Sequence, residues 1–114
     1  MLVYQIAQVD FQFLDDNKIK SRPCLVLTKP RGKYKIVVIA YMTSTDSLLE
    51  NTDVSLEIDQ KYFKKTGLNT NTIIKLHRLE NISVDSLKGK LGELDKEKSQ
   101  EVNQKLKLLF ELFQ

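Results

Sequence analysis

Tyr34-Lys35-Ile36-Val37-Val38-Ile39-Ala40-Tyr41-Met42 carries an apolar run, Ile36 to Ala40, with no polar break. A β-branched run that continuous predicts a strand covered on both faces. Just before it stands Pro30-Arg31-Gly32-Lys33, a turn in which proline fixes φ and glycine admits positive φ. Before that comes Pro23-Cys24-Leu25-Val26-Leu27-Thr28, a second compact β-rich run. The two runs predict a hairpin at the centre of a sheet.

The flanking segments extend this reading. Val3 to Phe11 has a short, imperfect strand pattern, followed by the polar loop Asp15-Asp16-Asn17-Lys18. Val54-Ser55-Leu56-Glu57-Ile58 alternates cleanly, which predicts one buried face and one wet face. Lys61 to Asn71 is irregular and contains Gly67, and Thr72 to Leu79 returns to strand. Asp85-Ser86-Leu87 turns the chain into a short strand at Lys90 to Leu94. The period then changes. Asp95 is a candidate N-cap with Glu97 in the first turn, and Val102, Leu106, Leu109, Phe110 and Phe113 form an apolar stripe at helical spacing. The fold expected is mainly β: a small barrel with a C-terminal amphipathic helix packed on it, as one domain over residues 1–114.

Composition narrows the chemistry. The chain has 114 residues, enough for one core but not for a cofactor domain beside a substrate domain. Its single cysteine, Cys24, excludes an internal disulfide framework, and its single histidine, His77, excludes a His-pair metal site. No cofactor or metal is expected. The net charge of +3 permits a polyanion partner without demanding one. Without a signal-like N-terminus or an apolar run near the ~20 residues that span a bilayer, the sequence reads as a cytoplasmic chain with no membrane partner.

What remains is polar residues at strand ends. If the hairpin closes through its Pro30 to Lys33 turn, Arg22 and Thr43 emerge at the same end of the sheet, with Ser44 beside them. A guanidinium next to a hydroxyl can hold a phosphate. An arginine capping loop carbonyls above a Ser/Thr turn would show the same pattern. On the strand at Thr72 to Leu79, alternation puts Ile74 and Leu76 on one face and Ile73, Lys75, His77 and Leu79 on the other. Lys75 and His77 could together move a proton and stabilise phosphate charge, since histidine titrates near neutral pH. A sheet face that is merely polar is the alternative. Arg78 points away from them unless the strand ends or bulges. Lys18, Lys20, Arg31 and Lys33 could follow a polyanion or be solvated surface.

Ser21-Arg22-Pro23-Cys24-Leu25-Val26-Leu27 resembles the Arg-Pro-x-Leu-Val-Leu run of the MazF/PemK/Kid toxins. The resemblance extends from Val9-Asp10-Phe11 through Met42-Thr43-Ser44, Thr72-Ile73-Ile74 and Ile82-Ser83-Val84-Asp85-Ser86-Leu87 to Lys90-Leu91-Gly92-Glu93-Leu94 and the closing helix. It implies an SH3-like barrel and a type II toxin: a homodimeric, metal-independent endoribonuclease that cuts single-stranded RNA at short sequences. It also implies a cognate antitoxin whose flexible C-terminal segment lies along the toxin dimer, and DNA binding together with that antitoxin. The family's catalytic arginine falls on Arg22 and its strand-end threonine on Thr43. The Arg-x-Asp acid–base pair of one branch falls on Lys75 and His77. Ser44, Lys18, Lys20 and Arg78 are then the expected RNA contacts. The chain departs from the family at Tyr4-Gln5, which replaces Gly-Asp, at His77, which replaces the aspartate, and at Glu80-Asn81-Ile82-Ser83, which replaces Arg-Thr-Ile-Asp. The same fold also occurs in toxins that poison DNA gyrase by protein contact, so a non-catalytic binding module is the competing expectation.

Overall fold

The unbroken apolar run forms β3 (Ile36–Thr43), with β2 (Ile19–Val26) paired on one side and β5 (Thr72–Ser83) on the other. The computed structural model describes residues 3–12, 19–44 and 49–111. Outside β2 lie β1 (Gln5–Gln12) and β6 (Leu87–Glu93), and outside β5 lies β4 (Asp53–Leu56). All pairings are antiparallel, in the order β4-β5-β3-β2-β1-β6. The C-terminal helix α1 (Lys96–Leu109) starts where expected: Asp95 is the N-cap, and its Oδ1 accepts the Lys98 N–H at 2.8 Å.

The strands at the centre are apolar on both faces because each face has its own core. Ile6, Leu25, Ala40, Met42, Ile74 and Leu76 meet Val102 of α1 in the larger one. Ala7, Val9, Cys24, Val26, Val37 and Ile39 form the second. The hairpin closes between Arg31 and Ile36, whose backbones exchange two hydrogen bonds of 2.9 Å, with Gly32 at φ +75° in the turn. Burial pushes the Cys24 thiol up to about 12, only partly opposed by a backbone hydrogen bond from Ala7. The neutral thiol therefore contributes its full stability below about pH 9, its ordinary value, and loses it as pH climbs towards about 12. At pH 8 Cys24 is expected to resist iodoacetamide in the native chain and to react once urea unfolds it. Alkylation of native protein at the unfolded rate would contradict this burial.

The sheet is open. Among the described residues no ladder joins β4 to β6, so the expected barrel is not closed by strand pairing. The gap is filled by a 3-10 turn over Lys61–Thr66, which ends at Gly67 in the left-handed region, φ +72°. A Cβ on Gly67 would collide with the Leu91 carbonyl, and one on buried Gly92 would collide with the Lys65 and Thr66 backbones. The close approach needs glycine on both sides. Gly92→Ala is expected to destabilise the chain by about 1–3 kcal/mol in urea unfolding. A loss under about 0.5 kcal/mol would mean that this contact does not seal the sheet.

Several expectations shift. Arg22 and Pro23 lie inside β2, because β1 continues to Gln12 and pairs as far as Ile19. β4 ends at Leu56, so Ile58 is exposed rather than buried. Leu79 packs with the larger core instead of sharing a face with Lys75, because the β3–β5 register slips between Ala40 and Tyr41. Phe110 is the exposed C-cap of α1 and not part of its buried stripe. Phe113 and Lys18 lie outside the described residues.

Candidate functional site

The concavity at the end of the central hairpin arises from one missing hydrogen. Leu27 donates its N–H to the Val38 carbonyl at 2.9 Å, so alternate residues of β2 direct their nitrogen atoms towards β3. Pro23 falls in that alternation and has no N–H to give. The β2–β3 ladder stops at Cys24 opposite Tyr41. Continued by two residues, its register sets Arg22 across from Thr43, as the hairpin expectation requires. Where the ladder stops, a cleft of about 310 Å³ opens, lined by Arg22, Pro23, Tyr41, Thr43 and Ser44 and rimmed on the far side by Asn69 and Thr70.

Arg22 is the unusual group in this cleft. Its Nε is buried and has no hydrogen-bond partner among the described residues. An unmet buried donor costs about 1–3 kcal/mol, more when charged, so such a group is normally satisfied or functional. An anionic oxygen entering beside Thr43 would supply the acceptor. The hydroxyl and amide groups around the cleft suit a polar ligand that is hydrogen-bonded as well as charged.

Lys75 and His77 do converge, but at a second place and on a residue that sequence reasoning missed. Lys75 is buried, and its Nζ lies 2.7 Å from Oδ2 of Asp53, whose side chain is fully buried. His77 Nδ1 stands 3.8 Å from Asp53 Oδ1. Neither Lys75 nor His77 lines the cleft of Arg22 and Thr43. Tyr41 connects the two places: it is among the residues that line the cleft, and its register partner on β5 is Lys75. The sequence around Asp53 carried half of the signal, the face it lies on, and only the strand pairing supplies the other half. Val54 and Leu56 bury one face of β4, which leaves Asp53 and Ser55 on the other, and the β4–β5 register sets Asp53 opposite Lys75.

The register slip between β3 and β5 explains Arg78. Leu79 pairs with Ala40 and Lys75 with Tyr41, which leaves Leu76, His77 and Arg78 in a bulge. The bulge turns both His77 and Arg78 outward, and the Arg78 guanidinium lies 4.2 Å from the centroid of the Tyr41 ring. Arg78 therefore packs on a residue that borders the cleft. Ser44 lies at its mouth, exposed. Lys20 is exposed on β2, opposite Phe11. Arg31 and Lys33 are exposed at the hairpin tip, away from the cleft lining.

Similarity to known proteins follows the same architecture. No curated protein sequence matches the chain. Among solved structures, a mycobacterial endoribonuclease in complex with its cognate antitoxin is 19% identical, with a TM-score of 0.72, over 100% of this chain and 98% of that one. The Mycobacterium tuberculosis toxin MazF-mt6 is 22% identical, with a TM-score of 0.74, over 96% and 99%. A further mycobacterial endoribonuclease is 19% identical, with a TM-score of 0.70, over 98% and 92%. At these identities the structures establish a shared fold. The family described as PemK-like, MazF-like toxin of type II toxin–antitoxin system matches residues 3–110. That match takes in all six strands, the Arg22–Thr43 cleft and the whole of α1, and the chain belongs to this toxin family.

Proposed function

We propose that the chain is an endoribonuclease toxin that cleaves single-stranded RNA at short sequences without a metal ion. The observation that carries the reading is the buried, unpartnered Nε of Arg22 in the cleft bordered by Thr43 and Ser44. Arg22 takes the scissile phosphate, and Thr43 orients that phosphate or the 2′-hydroxyl. His77 accepts the 2′-hydroxyl proton as the 2′-oxygen attacks phosphorus and the 5′-oxygen leaves. Lys75 acts on this site through Asp53, which already holds its ammonium group. Lys18, Lys20, Ser44 and Arg78 contact the RNA on either side of the break. The partners are a second copy of the chain and a cognate antitoxin, in keeping with the family and with the antitoxin complex of one structural neighbour.

A direct test incubates the purified chain with single-stranded RNA in excess EDTA. Breaks ending in a 2′,3′-cyclic phosphate and a 5′-hydroxyl are expected at an undiminished rate. Activity lost to EDTA and restored by a divalent cation would overturn the metal-independent mechanism. One observation favours the competing reading of a binding toxin that stops DNA gyrase: Lys75 and His77 stand outside the Arg22 cleft. On that reading RNA stays intact while supercoiling activity falls.

A further inference from the structure

Asp53 is the first residue of β4, and the two oxygens of its buried carboxylate are unequally satisfied. Oδ2 receives Lys75 Nζ at 2.7 Å and the backbone N–H of Glu50 at 2.8 Å. Oδ1 receives no hydrogen bond from the described residues. The side chain opposite it is His77, whose Nδ1 is 3.8 Å away and whose ring is 40% exposed. The carboxylate is pinned and the ring is not. Lys105 of α1 adds to the pinning, since its Nζ donates to the Asp53 carbonyl at 3.2 Å. A small rotation of the ring brings Nδ1 within hydrogen-bond reach, and such contacts commonly tighten only when substrate binds. Oδ1 has no other donor to lose by the movement.

We propose that Asp53 is the positioning residue of His77. Oδ1 accepts the Nδ1–H of the neutral ring, so that the lone pair is held on Nε2. Which nitrogen of a histidine carries the proton is set by the hydrogen bond that the other nitrogen leaves available. Lys75, whose Nζ lies 2.7 Å from Oδ2, balances the carboxylate charge. The catalytic half of the proposal rests on the endoribonuclease reading; the tautomer half does not. In the reaction, Nε2 takes the 2′-hydroxyl proton while the 2′-oxygen bonds to phosphorus and the bond from phosphorus to the 5′-oxygen breaks. The proton passes back from Nε2 through solvent to the leaving oxygen, so none is gained or lost.

The experiment is long-range nitrogen–carbon correlation NMR on the full, uniformly labelled chain, which has one histidine to assign. It is run at a pH where that ring is neutral. Wild type is expected to show Nδ1 protonated and Nε2 bare. A ring protonated mainly on Nε2 overturns the proposal, whether or not the protein cuts RNA. Cleavage kinetics supply the second arm. Asp53→Asn is expected to lower kcat roughly tenfold or more with KM little changed, and to cost nothing further in a His77→Ala background. An equal loss in that background assigns Asp53 a purely structural role and overturns the positioning claim. If wild type cuts no RNA, the endoribonuclease reading fails while the tautomer result still stands or falls by itself.

Discussion

Arg22→Ala is expected to lower RNA cleavage about 10²- to 10³-fold in kcat/KM and to leave the fold as stable as before, or slightly more stable. The catalytic half follows from where charge develops. A pentacoordinate phosphorus carries more negative charge on its oxygens than the ground state, and a fixed donor aimed at them in a shielded cleft is worth a few kcal/mol. The stability half follows from the unpartnered Nε. A guanidinium that serves the fold would have its donors satisfied, and removing it would destabilise the chain. Removing a buried donor with no partner takes away a cost instead. Arg22→Lys is expected to recover little, because an ammonium cannot present the planar pair of donors. Rates on single-stranded RNA and urea unfolding of the same samples read both halves. Unimpaired cleavage by Arg22→Ala would remove the site, and a large loss of stability would make Arg22 a structural residue.

Lys75→Met is expected to have the largest effect on stability, about 3–5 kcal/mol. Asp53 is fully buried, Lys75 nearly so, and Nζ sits at 2.7 Å from Oδ2. Losing the ammonium leaves a buried carboxylate with only the Glu50 N–H on Oδ2 and His77 beyond hydrogen-bond distance of Oδ1. Breaking one side of a buried pair costs more than the pair itself contributes, because the remaining charge stays desolvated. Against a total stability of about 5–15 kcal/mol for a domain of this kind, such a loss is severe. The double variant Asp53→Leu with Lys75→Met is expected to regain most of it, since a well-packed apolar pair replaces a buried ion pair at little cost. Unfolding midpoints followed by circular dichroism measure the series. If Lys75→Met costs less than about 1 kcal/mol, the pair is hydrated and the account of β4 and β5 is wrong.

These two residues mark the line between what was legible in the sequence and what was not. Local chemistry was readable: the apolar run of β3 with its two cores, the hairpin that brings Arg22 and Thr43 to one cleft, and the Asp95 cap of α1. Each depends on residues close in the chain or on one simple register. The proline that ends the β2–β3 ladder was visible as a residue, but its consequence depended on which strand lay beside its missing N–H. Asp53 was invisible for the same reason. Its burial follows from pairing with a strand some twenty residues onward, in a register that alternation within β4 does not specify. The bulge at Leu76 to Arg78 exists only as a mismatch between β5 and β3. It separated Leu79 from the face predicted for it and exposed Arg78 behind Tyr41. The open sheet edge has a similar origin, since closure comes from Gly67 and Gly92 meeting other backbones rather than from a strand pattern.

Mapping RNA 5′ ends across a bacterial transcriptome after brief induction of the chain, with Arg22→Ala as the parallel culture, is the decisive test of RNA cleavage through Arg22. Growth arrest with new 5′-hydroxyl ends at a short recurring sequence is expected in the wild-type culture, and neither arrest nor new ends with Arg22→Ala. Arrest with intact RNA, or equal breakage in both cultures, would contradict it.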